Sequence, residues 1–244
     1  QEGVRLSRAG QCEEAMPLYE RVVEVFASSR YAPPAMYNTA LCFKERERLE
    51  EAAAKFEELI RRYPGSEDIE HAHFQLLELY VALQRFEDGH GVASTLLAPT
   101  DVTPDERVEV MTRQAQLLLA AGDEVEAAAK AREALTYARM RPDDDPVVET
   151  YFLGAANYVL AETIRHRSEA IELPEGGVAV QRPVLEERAR LLLQAQRTYF
   201  DTMRQTHAEW AAAAGYRIGS MYDAFWNAIM EAPVPPPDPP LQGD

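Results

Sequence analysis

Small residues recur through the first half of this chain at almost fixed intervals. Ala15, Ala52, Gly89 and Ala127 follow one another at 37, 37 and 38 residues, and Cys12, Leu49, Phe86 and Glu124 keep the same spacing. Such a repeat constrains the fold more than any local motif does. Each unit is one supersecondary element that cannot bury its own apolar face, so the units must stack around a shared core. The stretch from Pro33 to Pro64 shows what the unit is. Met36, Ala40 and Phe43, then Ala52, Phe56 and Leu59, recur at helical spacing on either side of a short polar turn, Glu45 to Arg48. Two amphipathic helices joined by a tight turn make an αα-hairpin.

This stretch resembles a tetratricopeptide repeat (TPR). The matches are the Tyr37-Asn38 pair, Ala40 and Phe43 in the first helix, then Ala52, Phe56 and the closing Pro64; Met36 stands where a tryptophan is common. The resemblance implies an all-α fold, a solenoid in which helix-turn-helix repeats wind into a right-handed superhelix. About four and a half units are expected over residues 1–170. The first is broken at Gly10, the third opens on Ser66 as an N-cap, and the fourth opens on the capping box Thr103-Pro104-Asp105-Glu106 and turns at Gly122-Asp123. Asp143-Asp144-Asp145-Pro146 is expected to start the next helix, where Leu153, Gly154 and Tyr158 begin a fifth unit. Residues 171–183, rich in Pro and Gly, read as a loop, 184–231 as divergent capping helices, and 232–244 as a Pro-rich disordered tail. The chain starts without Met and enters in mid-repeat, as it would if an upstream segment had been removed.

Charge narrows the partners. The net charge of −16 disfavours nucleic acid and anionic membrane surfaces, both of which call for Lys/Arg-rich faces. No run approaches the ~18 apolar residues of a membrane span, so direct membrane insertion is not expected. Residues 65–110 carry ten Asp/Glu against two Arg, which favours a partner with basic segments.

No catalytic motif is present: no phosphate-cradling Gly-Lys-Ser/Thr loop, no Gly-x-Ser-x-Gly elbow and no His-Glu-x-x-His. The expected protein is therefore not an enzyme and uses no cofactor. His71, His73 and His90 share one repeat, but His71 and His73 point to different helix faces, so no metal site is expected. In TPR stacking the second helix of one repeat packs antiparallel to the first helix of the next. That brings Cys12 near Cys42, either as two reduced buried thiols or as a disulfide, and a disulfide would favour an oxidising compartment such as a bacterial periplasm.

The first helices of TPR units line a concave groove. By position the resemblance assigns to that groove Tyr37, Asn38, Leu41 and Lys44, then Phe74 and Glu78. It continues with Thr112, Arg113, Gln116, Tyr151 and Tyr158. The Lys-rich clamp of chaperone-binding TPRs is not reproduced, since Lys44 and Arg113 are the only groove cations. From Trp210 to Met230 a dense apolar stripe reads as a capping helix or as a docking surface for a partner or another copy. The wording AGYRIGSMYDAFWNAIMEAPVPP, residues 214–236, is similar to the C-terminal part of TPR proteins of deltaproteobacterial cell envelopes, gliding-machinery components among them. The function these features imply is a non-enzymatic protein-protein interaction scaffold in a multiprotein complex. The alternative is a regulatory or targeting TPR module of a larger enzyme.

Overall fold

The computed structural model describes residues 2–234, and every regular element among them is a helix. In order these are α1 (Glu2–Arg8), α2 (Cys12–Val25), α3 (Ala32–Glu45), α4 (Leu49–Arg62), α5 (Ile69–Ala82), α6 (Phe86–Leu97), α7 (Pro104–Ala120), α8 (Glu124–Arg139), α9 (Tyr151–Glu169), α10 (Val178–Met203) and α11 (Ala208–Met230). Most of the expected Pro-rich tail, residues 235–244, lies outside the described residues.

The repeat spacing has a structural meaning. Cys12, Leu49, Phe86 and Glu124 are the first residues of α2, α4, α6 and α8. Two residues earlier, each turn holds one residue in the left-handed region: Gly10 (φ 73°), Glu47 (φ 57°), Gln84 (φ 55°) and Gly122 (φ 82°). The residue after it donates its backbone N–H back into the preceding helix, Gln11 to Leu6, Arg48 to Phe43 and Arg85 to Tyr80. These are helix C-caps of the Schellman kind, which close orphan carbonyls and favour glycine at the left-handed position. Two of the four turns use a residue with a Cβ instead. Glu47→Gly and Gln84→Gly are each expected to raise stability by about 1 kcal/mol, read as a higher urea midpoint at unchanged slope. A lower midpoint would show that the side chains of Glu47 and Gln84 contribute more than the strain they impose.

The chain divides into two compact units, Gln1–Thr103 with Gln116–Ala121, and Pro104–Ala115 with Gly122–Asp244. In the first unit α1–α2, α3–α4 and α5–α6 are hairpins, with α2 packed on α3 and α4 on α5. Helix α4 shows why these segments are helical. Glu50 and Glu51 occupy its positive first turn and Arg61 and Arg62 its last, and Pro64 follows closely. Its buried stripe, Ala52, Ala53, Phe56 and Leu59, meets Met36, Ala40 and Phe43 of α3 and Leu76, Leu79 and Tyr80 of α5 in one core. Each fully buried large side chain there contributes about 1.5–3 kcal/mol. Gly89, one of the periodic small residues, allows a close approach: a Cβ there would stand 2.4 Å from Leu117 Cδ1.

In the second unit α8 packs on α9, α9 lies along α10, and α11 covers both. Its core joins Ala161, Ile164, Leu191, Leu192, Ala195, Tyr199, Ala214 and Met221. Two expectations are corrected here. The loop expected over 171–183 is shorter, since α10 begins at Val178 and contains Pro183. Pro183 is only the sixth helical residue; the first four N–H groups lack intrahelical partners in any case, so the ring forfeits one bond. Finally, the acidic run at 143–145 does not open a helix. α9 starts at Tyr151, and Asp105 Oδ1 instead accepts the backbone N–H groups of Val148 (2.9 Å) and Glu149 (2.7 Å).

Candidate protein-binding surface

Six of the expected groove residues lie on α3 and α5 of the first unit. Lys44 Nζ lies 2.6 Å from Glu78 Oε1 and donates to Gln75 Oε1 at 2.8 Å, so the two first helices are clasped across their shared face. Tyr37 stands edge-on to Phe56, with ring centroids 5.3 Å apart, and Asn38 donates its side-chain amide to the Pro34 carbonyl. Leu41 and Phe74 are half-buried. The field over this face is negative. Burial, then the charges of Asp68 and Glu78, push the Tyr37 phenol above its ordinary range. Gln116, also in this unit, is half-buried on α7.

Beside Asn38 the structure opens a cleft of about 780 Å³ that the sequence reading missed, walled by Leu18, Tyr19, Val22, Phe26 and Tyr31. Phe26 and Tyr31 are about 60% exposed at its rim. Exposed aromatics in an inter-repeat connection were the available signal.

In the second unit the expected groove residues are engaged internally. Thr112 is fully buried and donates its hydroxyl to the Phe152 carbonyl at 3.3 Å. Arg113 pairs with Glu109 at 2.8 Å and lies over the Phe152 ring. Tyr151 and Tyr158 pack against Trp210 of α11 at centroid distances of 5.5 and 5.3 Å. Gly154, between them on α9, lets that indole approach: a Cβ there would meet Trp210 Cδ1 at 3.1 Å. Tyr158 also accepts from Arg217 Nε at 3.1 Å, and Tyr151 donates to Glu209 at 3.3 Å. At Tyr151 and Tyr158, α11 occupies the side assigned to a partner.

Comparison with known proteins agrees with this architecture. Residues 1–67 match the family model described as tetratricopeptide repeat. That stretch, just over a quarter of the chain, is similar to tetratricopeptide repeats. Among solved structures, the nearly identical TPR-like repeats of a Podosopora anserina protein described as a kinesin light chain share the chain's fold at a TM-score of 0.54. They are 16% identical, and the match covers 83% of this chain and 93% of theirs; a point variant of the same repeats matches equally. No curated protein matches the sequence. TPR folds typically serve as non-enzymatic modules for protein-protein interaction.

Two further clusters bear on chemistry. Cys12 and Cys42 are joined as a disulfide with Cα atoms 5.3 Å apart, tying the start of α2 to the last turn of α3. Glu45 Oε2 lies 3.1 Å from Cys12 Sγ. Among the described residues these three form the group of potential metal ligands that lies closest together, with both sulfurs already bonded to each other. The three histidines of the third repeat do not act together: His73 Nδ1 meets the Ile69 carbonyl, His90 stacks on Phe86, and His71 is exposed. No helix among the described residues is long and apolar enough to cross a membrane.

The other cluster escaped the sequence reading. Glu162 on α9 is buried; it accepts from the Tyr199 hydroxyl and from Arg165 at 2.8 Å, and it pairs ionically with Arg217 Nε at 3.2 Å. Arg165 also reaches Glu169, and His166 Nδ1 reaches Glu124 of α8 at 2.6 Å. Burial alone would raise the Glu162 carboxyl, but the hydrogen bonds from Arg165 and Tyr199 outweigh it and hold the group below its usual range. Burial and the Glu162 carboxylate together push the Tyr199 phenol far upward. The cluster reads as structural, a polar pin between α9, α10 and α11.

Proposed function

We propose that this protein is a non-enzymatic scaffold that holds a protein segment with apolar anchors and Lys/Arg between them along α3 and α5. The observation that carries the reading is the face itself. Tyr37 and Leu41 of α3 and Phe74 of α5 are half-buried, and the Lys44–Glu78 ion pair ties those two helices together, with the Asp68 carboxylate close enough to raise the Tyr37 phenol. A preformed surface loses little ordering entropy on binding. The apolar anchors supply affinity, while the acidic surround speeds and orients encounter. The Cys12–Cys42 bond supports work in an oxidising compartment, and with the envelope-like C-terminal wording it favours assembly of a bacterial cell-envelope complex, such as gliding machinery.

Parallel capture from source-cell extract on immobilised wild-type chain and on the Phe74→Ala variant tests this. The expected ligand is a protein that the wild type retains and the variant releases about thirty-fold faster, as loss of a central anchor worth about 2 kcal/mol predicts. Its association with the wild type slows as salt rises. Equal release from both surfaces removes α3 and α5 as the site.

A further inference from the structure

We propose that the outer face of α11 is a homodimer seam, closed by an antiparallel α11 from a second copy of this chain. Helix α11 packs on α10 and α9 along one side. Its inner face is spent on α9 and α10 through Ala214 and Met221. Its outer face carries Ala212, Gly215, Gly219, Tyr222, Trp226 and Ile229, all exposed, with Trp226 at 62%. The intervals between them are 3, 4, 3, 4 and 3, the a/d spacing of a two-helix seam.

The order of sizes identifies the occupant. The N-terminal half of the stripe is small, and the C-terminal half is large. A twofold axis between residues 220 and 221 sets Trp226 over Gly215 of the other copy, Tyr222 over Gly219, and Ile229 over Ala212. Every ridge meets a notch, and the pairing is its own mirror, as an isologous interface requires. The notches are open in the single chain: a Cβ at Gly215 or Gly219 would meet nothing within 4 Å. A parallel copy would set ridge on ridge.

The area is also of the right size. Tyr216 (72% exposed) and Met230 (66%) flank the seam. Taking about 150–250 Å² for an aromatic side chain, the exposed apolar side chains of this one helix present roughly 600 Å². That is the upper end of what a monomer leaves as one patch. With the backbone at Gly215 and Gly219 it approaches the ~800 Å² per partner of a standard interface. Two chains of −16 repel each other, so the apolar seam works against charge and screening strengthens it.

Analytical ultracentrifugation of the full chain from about 1 to 200 μM tests the proposal. The expected result is a reversible dimer with a micromolar Kd that tightens as NaCl rises. Trp226→Ala and Gly219→Leu are each expected to weaken it at least tenfold. Gly219→Leu fills a notch on an exposed helix face, so circular dichroism should show an unchanged or higher melting temperature, separating loss of pairing from loss of folding. A monomer at every concentration overturns the proposal. So does a dimer that Gly219→Leu leaves intact, since it must then close by another geometry or another surface. The outcome is independent of the α3–α5 reading, which rests on different residues.

Discussion

Glu162→Ala is expected to cost the second unit about 3–5 kcal/mol, the usual penalty for removing one partner of a buried ion pair. The variant strands the Arg165 guanidinium on Glu169 alone and leaves the Tyr199 hydroxyl, itself fully buried, without its acceptor. Urea unfolding followed by circular dichroism reads the change. The same carboxylate sets a pH dependence. Its folded pKa lies below the unfolded one, so its stabilisation is fully present above the ordinary carboxylate range and is lost as pH falls through the depressed value. Wild-type stability should therefore drop below about pH 4, with Glu162→Ala showing a shallower acid limb. Identical limbs in both proteins would place the acid sensitivity elsewhere.

Replacing both cysteines by serine is expected to cost the first unit about 3–4 kcal/mol. The bond from Cys12 to Cys42 closes a separation of 30 residues, and a loop of that size removes chain entropy of about this magnitude from the unfolded state. Dithiothreitol should bring the wild type to the midpoint of the double variant and leave the variant unmoved. A wild type indifferent to reductant would mean that the pair contributes nothing beyond its packing. The core formed by Met36, Phe56 and Leu76 does not include either cysteine, so the reduced unit should remain folded at low urea.

Much of the fold was legible because a stacked repeat writes its register into the sequence. Ala15, Ala52 and Ala127 are fully buried, and the residues three positions before them open their helices. What the repeat does not encode was harder to read. Pro183 and the Gly176-Gly177 pair look like a loop by composition, yet a proline early in a helix is cheap and Gly177 serves as the extended residue before it. Glu162 carries no local signal of burial; its partners Tyr199 and Arg217 are 37 and 55 residues away, beyond any local pattern. For the candidate surface, position assigned residues to helices but not to what covers them. Nothing local to Tyr151 or Tyr158 announces that Trp210 will lie on them, whereas Tyr37, Leu41 and Phe74 stay half-buried.

The link between α2 and α3 also governs how the chain responds to tension. Its two ends lie in consecutive repeats, so a load applied along the polypeptide passes from Cys12 to Cys42 through the sulfurs. The segment between them, which includes nearly all of α2 and the first three turns of α3, carries no load while the bond holds. At about 3.3–3.6 Å per extended residue, roughly 100 Å of contour stays folded away under force and is released only on reduction. A load-bearing assembly built on this chain would thus have two lengths, selected by the redox state of its surroundings.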